Sequence, residues 1–181
     1  MKNKQWVYIS FLLMAILQIS LPLTTIINKN QTMTRGTLYK FKVKPLDPAH
    51  PFIGRYVDLS FEQDTFKLDQ ENLYQNDQVI YIEIVKDDTG FAKIQSIATT
   101  PFDHTPDYIR AKVSYVSDHT LYIKYPFSHF YMEESKALLT EEEARKAMRD
   151  ANSVVYAEVM VMKGDAVIKD LKINEISVGH H

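Results

Sequence analysis

Between Lys4 and Lys29 no residue of this chain carries a charge. The apolar body runs from Trp6 through Leu17 and continues with Ile19, Leu21, Leu23, Ile26 and Ile27. As a helix, Trp6–Ile27 would extend roughly 33 Å at about 1.5 Å per residue, enough to cross a hydrocarbon core of about 30 Å. Trp6 and Tyr8 suit the interfacial aromatic belt at the N-terminal end, with Lys2 and Lys4 just outside it. A cleaved signal peptide has the same order of charge and apolar run, but its cleavage needs small residues in an A-x-A-like pattern. Leu17-Gln18-Ile19-Ser20-Leu21-Pro22 supplies only Ser20. An uncleaved single-pass membrane anchor is therefore the first reading, and a cleaved, exported protein the second. Lys29, Arg35, Lys40, Lys42 and Lys44 place more positive charge after the span than before it. Long domains translocate despite such charges, so the expected location of the C-terminal part stays extracytoplasmic, periplasmic or at the cell surface.

The remainder divides at a polar, aperiodic stretch. Residues 1–27 read as the anchor, 28–36 as a linker and 37–181 as a β-rich domain. Period-2 alternation sets in after the linker. Tyr39, Phe41 and Val43 alternate with lysines; Val57, Leu59 and Phe61 with polar residues; Ile80, Ile82 and Ile84 with Tyr81 and Glu83. Ile109, Ala111, Val113 and Tyr115 form another inward set, and Leu121, Ile123 and Tyr125 a further one. Val155–Met162 is apolar on both faces and predicts a strand buried on both sides. Asp87-Asp88-Thr89-Gly90, Ser117-Asp118 and Lys163-Gly164-Asp165 separate such runs and predict antiparallel hairpins. One helix is expected after Thr140, where Thr140 and Glu143 make a capping box and Glu141→Arg145 and Glu142→Lys146 have the favourable i,i+4 order. Its thin apolar stripe of alanines and Met148 predicts a short surface helix. The expected fold is mainly β, an antiparallel β sandwich or partly open barrel with that helix, behind a single N-terminal transmembrane helix.

Composition narrows function by exclusion. The 181 residues contain no cysteine, which removes disulfide scaffolds, Cys-ligated zinc and thiol nucleophiles. Lys and Arg total 21 against 23 acids, so no basic excess points to nucleic acid. The five glycines are scattered and form no phosphate-binding loop. No HExxH, GxSxG or SxxK pattern occurs. No cofactor or metal is expected.

Lys44–Phe61 reads Lys-Pro-Leu-Asp-Pro-Ala-His-Pro-Phe-Ile-Gly-Arg-Tyr-Val-Asp-Leu-Ser-Phe. This resembles the GDYXXLXY family, bacterial membrane-anchored proteins named for Gly-Asp-Tyr-x-x-Leu-x-Tyr and carrying an Asp-Pro element ahead of it. Gly54, Tyr56 and Leu59 match the motif and Asp47-Pro48 the lead-in; Arg55 replaces the Asp and Phe61 the final Tyr. His129-Phe130-Tyr131-Met132-Glu133-Glu134 is similar to the family's aromatic pair followed by a Glu, here matched to Glu134. The resemblance implies a protein without established enzymatic activity, encoded beside a multi-pass membrane protein that is the implied partner. A role of the motif Asp does not carry over to Arg55, whose charge is opposite. Without the family, the same residues read as a strand-entry corner, with Pro48 and Pro51 holding the approach extended and Gly54 allowing a close backbone approach. The competing reading is a partner-binding surface with Arg55, Tyr56 and Asp58 exposed.

Two further clusters bear on function. Tyr122, Tyr125, Phe127, Phe130 and Tyr131 form a dense aromatic segment, either a candidate interface with Arg55 or core packing. Asp103, His104 and Asp107 share a Pro-flanked loop, where turn formation and solvation is the simplest role and metal binding the sharper one. The leading expectation is a non-enzymatic accessory or binding partner of a multi-pass membrane protein, tethered to lipid by its N-terminal helix. A membrane-tethered hydrolase or peptidase using the His104 loop, or a periplasmic small-ligand-binding barrel, are the alternatives.

Overall fold

A computed structural model of the chain describes residues 2–44, 56–69, 74–131 and 153–177. Helix α1 (Lys2–Arg35) is followed by strands β1 (Thr37–Lys42), β2 (Tyr56–Asp58), β3 (Thr65–Lys67), β4 (Val79–Lys86), β5 (Ala92–Ala98) and β6 (Tyr108–Ser117). Then come β7 (Thr120–Lys124), β8 (His129–Tyr131), β9 (Val155–Met162), β10 (Asp165–Ile173) and β11 (Ile176–Ser177). The strands form a four-stranded sheet β1-β9-β10-β11, a five-stranded sheet β3-β7-β6-β4-β5 and a β2-β8 pair. Every named pairing is antiparallel. Bridges at Lys40↔Phe91, Ile109↔Gly164 and Val43↔Phe61 link the sheets, giving a partly open barrel, one of the two arrangements expected from the alternation.

The core is drawn from both sheets. Phe41, Ala157, Val159, Val161 and Leu171 meet Ile80, Ile82, Ile109, Val113 and Leu121, all essentially without solvent contact. Inward residues alternate with outward ones along β4 and β6, whereas β9 is buried on both faces over Val155–Val161. The β6–β7, β9–β10 and β10–β11 connections each put two residues at positive φ, Asp118-His119, Lys163-Gly164 and Asn174-Glu175. That backbone matches the right-handed twist of the strands it joins. Asp87 closes the β4–β5 loop by accepting from the Thr89 and Phe91 amides at 2.8 and 2.9 Å.

Two expectations are corrected. Asn28–Arg35 is not an irregular linker: α1 continues through it without a break. Its threonines are satisfied within the helix, the Thr32 and Thr34 hydroxyls donating to the Asn28 and Asn30 carbonyls at 3.1 and 2.9 Å. Packing completes it, since Thr32 is fully buried and Lys29 donates to the Ala166 carbonyl at 3.1 Å. Tyr115 does not join the inward set of β6. A register shift between Val113 and Tyr115 turns it outward, where it is 46% exposed. The expected helix after Thr140 lies outside the described residues.

Among the described residues nothing packs against the first part of α1. Its large apolar side chains from Tyr8 to Ile27, and Trp6 before them, are exposed, and the span from Tyr8 to Arg35 is long and apolar enough to cross a membrane. Ser20, Thr24 and Thr25 bond their hydroxyls to helix carbonyls, which satisfies these polar groups within the helix itself.

Candidate functional site

β2 enters from the Gly54 segment and pairs with β8 in the register Tyr56↔Tyr131, Val57↔Phe130 and Asp58↔His129. Two stretches more than seventy positions apart in sequence thereby become neighbours. The Leu59 amide extends the contact to the Ser128 carbonyl at 2.6 Å. The chain then turns onto β1, with Lys44 donating to the Ser60 carbonyl at 2.8 Å and Glu62 to the Lys42 carbonyl at 3.0 Å.

Leu59 and Phe61 are buried at this corner. The Phe61 ring lies 5.6 Å from Phe41, 5.5 Å from Phe127 and 6.1 Å from Tyr125, centroid to centroid. Nothing polar is required of a side chain in that position, which suits phenylalanine. Tyr125 reaches out of the aromatic nest through its hydroxyl, which donates to the Gln63 carbonyl at 2.6 Å. Burial, with the Asp64 carboxylate as a smaller cause, pushes its phenol pKa well above the usual range. Asp64 also pairs with Lys44.

Of the aromatic segment, Tyr125, Phe127 and Phe130 are buried, as the packing alternative requires. Tyr122 is half-buried on the outer face of the five-stranded sheet and stacks on Tyr115 with centroids 4.1 Å apart and planes at 16°. The outward turn of Tyr115 that makes this stack possible comes from an irregularity in β6, which alternation does not reveal. Tyr131 is placed in β8 by register.

The His104 loop is pinned to the β4–β5 hairpin. His104 Nε2 lies 2.9 Å from Glu83 Oε1, and Ser96 donates its hydroxyl to Glu83 Oε2 at 2.7 Å. These two contacts, Ser96 first, hold the Glu83 carboxyl below its ordinary pKa. Asp107 accepts a hydrogen bond from the Tyr39 hydroxyl at 3.0 Å. Burial of Tyr39, reinforced by the Asp107 carboxylate, raises that phenol well above its usual range. Serine and histidine both address the glutamate rather than each other, so this cluster lacks the serine–histidine bond of a nucleophile relay. Among the described residues no three His, Asp or Glu side chains are placed to hold a metal ion.

A cleft of about 490 Å³ opens between Lys29 near the end of α1, the β9–β10 turn and strands β6 and β7, lined by Lys29, Asp77, Arg110, Lys112, Lys124 and Asp165 among others. Lys29 also borders a second hollow of about 290 Å³ against Phe127, Phe130 and Ala166.

A family model described as GDYXXLXY protein matches residues 18–171. The chain belongs to the GDYXXLXY family. The match begins inside α1 and ends in β10, so the family unit includes part of the apolar helix together with the β domain. No curated protein and no solved structure matches the chain. Within the family motif, Tyr56 lies in β2, and Leu59 and Phe61 form the buried corner. Asp47, Pro48, Gly54, Arg55 and Glu134 lie outside the described residues.

Proposed function

We propose that this GDYXXLXY protein is a single-pass membrane protein whose β domain, on the extracytoplasmic side, acts without catalysis as an accessory subunit of a multi-pass membrane protein. The observation that supports the anchor is the continuity of α1. Its bare apolar length passes without a break into turns that belong to the domain, through Lys29, buried Thr32 and Gly36. A helix joined this way holds the domain close to the bilayer in a fixed attitude, which suits contact with a neighbour in the same membrane. Removing the helix at Ser20 would leave Leu21–Ile27 as an apolar stub on the folded domain.

The partner-facing surface is the outward-facing Tyr115–Tyr122 stack, its Tyr115 ring exposed, because the other rings of the segment that the structure describes are spent on the core. Tyrosine pairs of this kind bury much area on contact at low entropic cost. Crosslinking the full-length protein in its native membrane and purifying it in mild detergent tests the proposal. A stoichiometric multi-pass protein should accompany the wild type and be lost from the Tyr115→Ser/Tyr122→Ser double variant. Recovery of the wild type without a membrane-protein companion would refute the accessory role.

A further inference from the structure

We propose that the cleft between the end of α1 and the outer face of the five-stranded sheet binds the phosphate of an anionic lipid headgroup; the proposal rests on the membrane-anchored reading above. Position is the first argument. Lys29 lines the cleft two residues after Ile27, the last apolar residue of the span. Two residues are about 3 Å along a helix axis, so the cleft stands at the depth of the headgroups when α1 spans.

Charge is the second argument. Four cations, Lys29, Arg110, Lys112 and Lys124, line the cleft with two carboxylates, Asp77 and Asp165. Lys29 is committed to the domain, 3.5 Å from Asp165 and bonded to the Ala166 carbonyl. Among the described residues, none forms an ion pair with Arg110, Lys112 or Lys124. Lys112 and Lys124 stand directly opposite one another in the β6–β7 register, and Arg110 is two residues along the same strand on the same exposed face. Like charges paired across strands cost stability. Asp77 and Asp165 line the same cleft but form no ion pair with these three cations, whereas a phosphate seated among them would offset the repulsion. Its oxygens suit the guanidinium fork of Arg110 and the two ammonium groups.

The full-length chain is reconstituted into vesicles of neutral phosphatidylcholine, with or without about a third phosphatidylglycerol, an anionic fraction at which each nearby basic residue is attracted measurably. A membrane-impermeant amine-acetylating reagent is applied, and the labelling of each lysine is read by mass spectrometry. Lys112 and Lys124 should label roughly fivefold more slowly in the anionic vesicles, while exposed Lys93 on β5 changes little. The Arg110→Gln variant should lose most of that protection. Equal labelling in both lipids, with the chain retained in the membrane after alkaline carbonate, would overturn the cleft proposal and leave the anchor standing. Release of the chain from both vesicles by carbonate would overturn the anchor, and the cleft proposal with it. Protection produced in neutral vesicles by inorganic phosphate alone would overturn the lipid assignment.

Discussion

Gly36 marks the handover from α1 to β1, and the space there admits no side chain. A Cβ would lie 2.5 Å from the Thr32 carbonyl oxygen and 2.9 Å from that of Val161, both backbone atoms that cannot swing aside. The Gly36 amide meanwhile closes the helix by donating to that same Thr32 carbonyl at 2.9 Å. Gly36→Ala should therefore cost about 1–3 kcal/mol, as overpacking does, and lower the melting temperature of the detergent-solubilised chain by several degrees. An unchanged melting curve would mean that helix and sheet are not in this contact. At the motif corner, Phe61→Ala removes a ring that packs on three others and should cost about 3–5 kcal/mol in a denaturant titration. Glu83 carries a pH signature. Its carboxyl is held below the ordinary value of 4.5 by Ser96 and His104, so it contributes stability that is complete above that pH. The contribution is lost as pH falls through the lower folded value. Stability measured across this acid range should fall less steeply in Glu83→Gln than in the wild type.

At the scale of elements, the hairpins were legible because alternation and turn residues agree. The β4–β5, β6–β7 and β9–β10 pairs stand within a residue or two of where the runs of Ile, Val and Tyr predict them. β3, β8 and β11 were not, since two or three residues cannot establish a period. The stretch Asn28–Arg35 departs from its linker reading for a different reason. It has no apolar stripe to announce a helix, and what holds it helical is packing of Thr32 and Lys29 on residues far away in sequence, with the threonine hydroxyls satisfied by carbonyls of the preceding turn. The aromatic segment announced itself by composition, but only tertiary structure sorts Phe127 from Tyr122. The basic cleft left no sequence trace at all, because its cations come separately from α1, β6 and β7. Continuity of α1 can be tested on its own. Asn30→Pro removes a backbone donor inside the helix, at a cost of about 3 kcal/mol or more. Hydrogen exchange at the amides of Thr32–Arg35 should then accelerate sharply while the core of β9 stays protected. Fast exchange in this segment of the wild type would argue for a loose linker after all.

In the molecule as a whole, one continuous helix joins an apolar span, long enough to cross a membrane, to the β domain. The apolar helix has no cover within the described chain, and the described β strands share a core of their own. Family membership spans the join, with the match beginning at residue 18 inside the helix. This is the arrangement expected of a protein that works at the membrane surface, with the helix as a structural part of the working unit. On the function proposed above, two faces are turned to partners: the tyrosine stack toward a protein neighbour, the basic cleft toward lipid phosphate. The most direct measurement on this account is the intact mass of the native protein recovered from membranes washed with alkaline carbonate. The account predicts the full chain of 21.0 kDa in the washed membrane fraction, with its N-terminal residues retained. A shortened chain beginning near Leu21, released into the soluble fraction, would contradict it.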